Sequence, residues 1–475
     1  MRRKNTTITI LFILGINLLI ITPLSVHAVD PTALSATATE TNVKLQTKFF
    51  KDRVDGNGFL GVGLDGSSRI DGDGEIYTAP NTIGYGALYT RYIRSGNAET
   101  KSWADVDVYP LVSNLIAGKL DAFRNTVDTL YYTIDQGIGL EFMSLGYEHS
   151  KDQEMLQILQ NVYNEMVTFQ ASDSEDKGHD GAYWVAIDED KVKETGAGYD
   201  YCNANASLWA IIGMLKFGQT VKGLTDDLTH NFSATSVARA EETIQFVESK
   251  CFYNGSGFRE YPYAELIEPD DRFYFNTQVL GLLAYTRLYQ ATLEQHYLDK
   301  ANMMIEYIIT KNFLRTGTIG GCVDYYAAGD PDDVSVTKLG YDNALYAYAL
   351  INLYVVQGEV DVAPLRRAEE IVDFMNRKLL TQTTDGELVG YAEYLVNDTL
   401  AAAPFDDYRF FVTNALMLLV NEEIIFYERP WFIKYLWFLV IGAIVIVVVI
   451  GVSVGVKRRK DVGRKLPKLV KGLVE

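Results

Sequence analysis

Two kinds of helical run alternate along the chain. In the first, small and aromatic apolar residues cover nearly the whole circumference, as in GYDNALYAYALINLYVVQG (340–358), which predicts a helix enclosed on all sides. In the second, apolar residues recur at three- and four-residue spacing with charge on the other face. HYLDKANMMIEYIITKNF (296–313) and APLRRAEEIVDFMNRKLL (363–380) are examples, and the pattern predicts amphipathic outer helices. The enclosed type starts at Asn81, Asp135, Asn205, Asn276, Asn343 and Asn414, at intervals of 54, 70, 71, 67 and 71 residues. An Asn or Asp ahead of an apolar run predicts an N-cap, its side-chain oxygen accepting from a free backbone N–H. A near-constant interval of this length implies repeated units that bury their apolar faces on one another.

Between the outer helix of one repeat and the inner helix of the next lie glycines and alternating aromatics. GNGFLGVGLDG, DGAYWVAID, GSGFREYPYAE, GGCVDYYAAGD and DGELVGYAEYL predict short extended or hairpin segments. Only the connection before Asp135 lacks one, matching its short interval. The sixth inner helix, ending about Tyr427, has no outer helix after it, and LSATATETNVKLQTKFF near the start has no inner helix before it. Pairing these two gives an all-α (α/α)6 toroid of six inner and six outer helices, with the hairpin loops on one face. An open solenoid of helix pairs is the competing arrangement.

The ends carry different information. MRRK, an apolar run and VHA predict a signal peptide over 1–28 cleaved after Ala28. Residues 436–456 are 21 positions without a charge, enough at about 1.5 Å per residue to cross a bilayer core of about 30 Å. The basic tail 457–475 follows, which places it in the cytoplasm, and Trp431, Tyr435 and Trp437 suit the outer interface. The expected layout is an extracellular toroid over 29–430, a transmembrane helix over 431–456 and a cytoplasmic tail, in a single-pass protein of the cell membrane.

Composition narrows the partners. The formal net charge is −19 although both ends are basic, so the acidity concentrates in 29–430. That excludes nucleic acid as the expected partner of the toroid, since phosphate backbones reward Lys and Arg clusters. Cys202, Cys251 and Cys322 allow at most one intrachain disulfide, and no Cys/His spacing suits zinc. His149, His179, His230 and His296 are scattered, so neither a metal nor a cofactor is expected. Asn231, Asn254 and Asn397 open glycosylation sequons in expected loops.

YDNALYAYALINLYVVQG resembles the Asp-Asn-Ala helix opening of α-mannanase-type members of the six-hairpin glycosidase superfamily, and with the sixfold pattern the resemblance covers essentially all of 29–430. It implies a glycoside hydrolase. In those members two consecutive aspartates carry catalysis; the matching positions here are Tyr341 and Asp342, so only Asp342 carries over. Sugar epimerases of this fold use histidines in the mouth, and no inner-helix start here has one.

If the ring closes, all six inner helices start at one mouth, where the long loops bring acids and aromatics together. Glycoside hydrolysis needs two carboxylates, one protonated as acid and one ionised as base or nucleophile. The expected pair is Asp342 as base and Asp271 as acid, with Asp407 and Asp200 as substitutes. Tyr341, Trp184, Tyr261, Tyr325, Tyr326, Asn343 and Asn276 are expected to bind an oligo- or polysaccharide, the rings stacking on sugar faces. A toroid that binds glycan or protein without catalysis is the alternative, and the aspartate missing beside Asp342 favours it.

Overall fold

The structure, a computed structural model, describes residues 33–51, 59, 63–65, 68–70, 76–116, 120–124, 130–171, 180–190, 202–253, 257–260, 272–310, 321–327, 335, 337–382, 389–396, 399–400 and 408–428. Helix α1 (Ala33–Lys44) runs on through wider π turns at Leu45–Phe50. Then come α2 (Thr78–Ser95), the short α3 (Ala98–Ser102) and α4 (Tyr109–Asn114), α5 (Thr133–Ser150) and α6 (Gln153–Val167). They are followed by α7 (Ala204–Val221), α8 (Thr225–His230), α9 (Phe232–Phe246), α10 (Phe275–Thr292) and α11 (Gln295–Thr310). Last are α12 (Gly340–Val356), α13 (Ala363–Lys378) and α14 (Phe411–Glu428).

Helices α2, α5, α7, α10 and α12 pack in succession as the inner wall, and α6, α9, α11 and α13 lie outside their own inner partners. The hydrophobic pattern explains the split. In α12, residues 342–351 are buried on every side, whereas α13 buries Leu365, Ala368, Ile371, Val372 and Met375 and turns its charges outward.

The ring is closed by its two ends. Strand Tyr408–Phe410, leading into α14, pairs antiparallel with Gly63–Asp65, with Gly63 opposite Phe410. Asn42 of α1 donates to Glu422 of α14 at 2.8 Å, and Asn421 donates to Asn42 at 3.1 Å. Arg91 of α2 binds the buried Glu422, and Arg94 reaches Glu423 at 2.9 Å. The first outer helix therefore covers the last inner one, as the count of helices required, and the open solenoid is excluded.

The Asn residues that marked the repeat have a different role from capping. The N-caps are Tyr77, Tyr132, Asn203, Tyr274 and Leu339, and of these only Asn203 caps through its side chain, accepting from the Ala206 N–H at 2.7 Å. Four residues further on, a carboxamide grips the preceding hairpin. Gln278 accepts from the Phe258 N–H at 2.8 Å and donates to the Phe258 carbonyl at 2.6 Å. Asn81 holds Phe59 in the same way, Gln136 holds Phe123, Asn343 holds Cys322 and Asn414 holds Tyr391. In α7 the place is taken by Ser207, which accepts from Tyr183 N–H at 3.2 Å. A carboxamide offers a donor and an acceptor side by side, as a neighbouring strand would, so it satisfies a buried backbone that has no strand there.

Each hairpin also reaches back to the previous inner helix. The first N–H groups of α5, α7, α10 and α12 donate to the carbonyls of Val185, Glu260, Asp324 and Glu393, at 3.1, 2.8, 2.7 and 2.8 Å. These four residues stand two positions after the gripped ones. The hairpins thus stitch neighbouring inner helices together at their N-terminal ends and set side chains 185, 260, 324 and 393 at the mouth.

Close helix contact makes one glycine pair indispensable. A Cβ on Gly137 would lie 2.3 Å from the Trp209 carbonyl oxygen, and one on Gly213 would lie 2.5 Å from that of Gly137. Backbone atoms cannot turn aside as a side chain can. Gly213→Ala is therefore expected to lower stability by about 1–3 kcal/mol, measured by denaturant unfolding, and an unchanged midpoint would contradict this packing.

Among the described residues no helix is long and apolar enough to cross a membrane. The expected signal peptide 1–28 and span 431–456 lie outside the described residues. Cys202, Cys251 and Cys322 are all buried, and no disulfide forms among them.

Candidate active site

Asp342 is the third residue of α12, and its carboxylate sits at the mouth with 4 % of its surface exposed. Its Oδ1 accepts from Asn276 Nδ2 at 2.8 Å, so the second residue of α10 orients a carboxylate on the neighbouring inner helix. Burial pushes the Asp342 carboxyl up to about 7; the Asn276 hydrogen bond acts against this, and Asp324 adds to it. A helix N-terminus favours an ionised acid there, by about 0.3–1 kcal/mol, and burial outweighs it.

Glu393 comes from the hairpin between α13 and α14 and is 3 % exposed. Oε1 accepts from the Tyr341 N–H at 3.1 Å, and Oε2 accepts from the Thr413 hydroxyl. Glu393 is thereby pinned between the first turns of α12 and α14. Burial pushes its carboxyl up to about 8, the hydrogen bonds from Thr413 and Tyr341 oppose the shift, and the nearby Asp342 reinforces it. The Asp342 charge works against ionisation of Glu393, so the two carboxyls do not lose their protons independently.

Asp324 completes the group from the intervening hairpin. Burial raises its carboxyl above the usual range and Arg272 pulls it down. Beside it Tyr325 stands opposite Tyr274 across the strand pair, with ring centroids 5.9 Å apart, and the Arg272 guanidinium lies 4.6 Å over the Tyr325 ring. This gives a part-exposed aromatic surface next to the acids. Tyr341 is half-buried, and burial together with Asp342 and Glu393 pushes its phenol far up, so it stays neutral.

The structure brings Asp342, Asn276, Tyr341 and Tyr325 together at the mouth. Asn343 uses its carboxamide on the Cys322 backbone and is fully buried. Trp184 is buried in the segment between α6 and α7, its backbone bridged to that of Cys202. Tyr326 belongs to the strand Tyr325–Ala327, opposite Phe273. Asp271, Asp407, Asp200 and Tyr261 lie outside the described residues. The sequence reading missed Glu393 and Asp324. The available signal was positional: both follow the gripped residue by two, in GCVD and GYAE.

Among the described residues no three His, Cys, Asp or Glu side chains are arranged to hold a metal. His149, His230 and His296 sit where inner helices end or just beyond, on the side away from the mouth.

No family model matches the sequence, and no curated protein is similar to it in sequence. Solved structures are similar. A D-mannose isomerase superposes with a TM-score of 0.63 at 15% identity, over 83% of this chain and 98% of that one. An α-mannanase from Bacteroides thetaiotaomicron gives 0.62 at 11%, over 84% and 98%. An inactive variant of an α-1,6-mannanase from Salegentibacter, altered at two consecutive aspartates and solved in complex with α-1,6-mannotriose, gives 0.56 at 14%, over 83% and 99%. The chain shares the toroidal fold of these structures.

Proposed function

We propose that this toroid is a carbohydrate-active enzyme that hydrolyses a glycosidic bond in an oligo- or polysaccharide, with Glu393 as general acid and Asp342 as the ionised partner. The observation that carries the proposal is the buried pair itself: two acids at the mouth, raised to about 7 and about 8 by burial. Burying two carboxylates is unfavourable, and a glycosidase is a setting in which one protonated and one ionised acid are both required. Glu393 supplies, from the next hairpin, the second carboxylate that the sequence lacks beside Asp342. The Tyr274–Tyr325 surface offers ring faces for a sugar.

Catalysis would proceed by proton transfer from Glu393 to the leaving oxygen while ionised Asp342 stabilises the positive charge developing at the anomeric carbon, directly or through an activated water. Asn276 holds Asp342 in place through this step. The active form needs Asp342 ionised and Glu393 protonated, so the rate should rise with pH through about 7 and fall above about 8. A narrow bell with its maximum between these limits is the expected kcat/KM profile, its limbs belonging to the coupled pair. A profile flat from pH 5 to 9 would contradict the assignment.

The isomerase among the similar structures suggests a second reading, sugar isomerisation; the buried Asp342 and Glu393 carboxyls favour hydrolysis. We further propose the single-pass layout, with 1–28 removed, the span over 431–456 and the mouth outside the cell. Two measurements test these readings. Purified full-length chain incubated with a broad glycan panel should release shorter sugars, whereas epimerised product without cleavage, or glycan binding without any product, would replace the hydrolase reading. Retention of the full chain in carbonate-washed membranes tests the anchor, and release into the wash would overturn it.

A further inference from the structure

The inner helices end on the side opposite the mouth, and the connections there carry apolar side chains the fold does not use. Leu228 lies in the short α8 after α7, Leu293 follows α10 and Val360 follows α12; they are 81 %, 74 % and 82 % exposed. Ile93, in the last turn of α2, and Val362 are also exposed there. The remaining exposed large aliphatics among the described residues, Val43, Val106 and Ile309, are spread over the outer wall. Leu293 adopts the left-handed region at φ 61°, a conformation glycine takes far more readily, so neither packing nor backbone geometry favours a leucine at that place.

These three residues stand on connections at the same end of the ring. Glu422 and Glu423 of α14 bind Arg91 and Arg94 in the last turns of α2, so α14 runs in the same sense as the other inner helices and brings the chain towards this side. The uncharged stretch 436–456 begins only a few residues later in the sequence. We infer that this face of the toroid rests on a lipid bilayer, with Leu228, Leu293 and Val360 in the interfacial layer and the mouth turned away from the membrane. This rests on the membrane-anchor reading given above. Asp152, Asp226, Glu294, Glu359 and Asp361 outnumber Lys151 and Lys222 at these connections. The contact is therefore apolar insertion into a zwitterionic surface, not attraction to anionic lipid.

The geometry would present the substrate entrance to the surrounding medium, at the far end of the inner helices from the lipid. The test places one nitroxide label at a time, through Leu228→Cys, Leu293→Cys, Val360→Cys or Ile309→Cys, on the full chain in phosphatidylcholine nanodiscs. The native thiols are buried and leave the introduced cysteine as the labelled one. Ile309, exposed at the other end of α11 from Leu293, is the aqueous reference. The three tip labels should show at least about a threefold higher ratio of oxygen to aqueous nickel accessibility than the Ile309 label, as interfacial insertion requires. Ratios equal to that of Ile309, with the chain retained in the disc, would overturn the docking and leave the anchor standing. A full chain that fails to float with liposomes would overturn the anchor and the docking together.

Discussion

Asp342→Asn is expected to reduce glycan hydrolysis by about 10²–10⁴-fold while making the protein more stable at neutral and alkaline pH. The loss follows from removing the ionised partner. The gain follows from linkage. In the folded protein the Asp342 carboxyl keeps its proton up to about 7, and an unfolded aspartate releases it near 3.8. Below about pH 4 both states are protonated and the substitution changes little. Between about pH 4 and 7 ionisation increasingly favours the unfolded chain, and above 7 the full cost is present. The asparagine removes that cost, and its side-chain oxygen can still accept from Asn276. The expected gain at pH 8 is roughly 2–4 kcal/mol, the upper figure being the full shift converted to energy. Denaturant unfolding of both proteins at pH 4 and pH 8 checks the sign. Equal stability at both pH values would mean that Asp342 is not strained by burial. Glu393→Gln should behave alike, with the gain complete only above about 8.

The largest loss of stability is expected at a second buried charge pair, deep in the barrel. Arg287 of α10 binds Glu141 of α5, and Tyr348 of α12 donates to the same carboxylate oxygen at 2.6 Å. Glu141 is fully buried, and Arg287 and Tyr348 are 3 % exposed each. The group joins three inner helices, two of which are separated by α7, so it braces the ring internally. Arg287→Met leaves an uncompensated buried carboxylate and should lower stability by about 3–5 kcal/mol. Adding Glu141→Leu removes the orphaned charge and should restore most of it. Unfolding of the two single variants and the double variant measures this coupling, and additive losses would contradict it.

The ring itself was legible because it depends on periodic burial. Six inner helices must be apolar all round, six outer ones only on one face, and that difference is written into runs such as 340–358 and 363–380. Closure was legible by counting. The first turns of the inner helices were less so. Asn81, Asn343 and Asn414 marked the repeat correctly, but Asp135, Asn205 and Asn276 were one or two places from the true equivalents Gln136, Ser207 and Gln278. Asn is common at caps, and the local pattern does not reveal that a carboxamide in the first turn is gripping a distant backbone. Glu393 was hidden for a related reason. It is one acid among many in an acidic protein, and only the fold distinguishes it, by pinning it against Tyr341 and Thr413. Asp342 stood out because its Asp-Asn-Ala helix opening resembles that of α-mannanase-type toroids.

The central claim is that a glycosidic bond is cleaved between Asp342 and Glu393. A crystal structure of full-length Asp342→Asn with a bound oligosaccharide, chosen from the glycans that wild type cleaves, tests it most directly. The account predicts a glycosidic oxygen within hydrogen-bond reach of Glu393, with the adjoining anomeric carbon facing residue 342. A glycan bound with its cleaved linkage away from both side chains would contradict it.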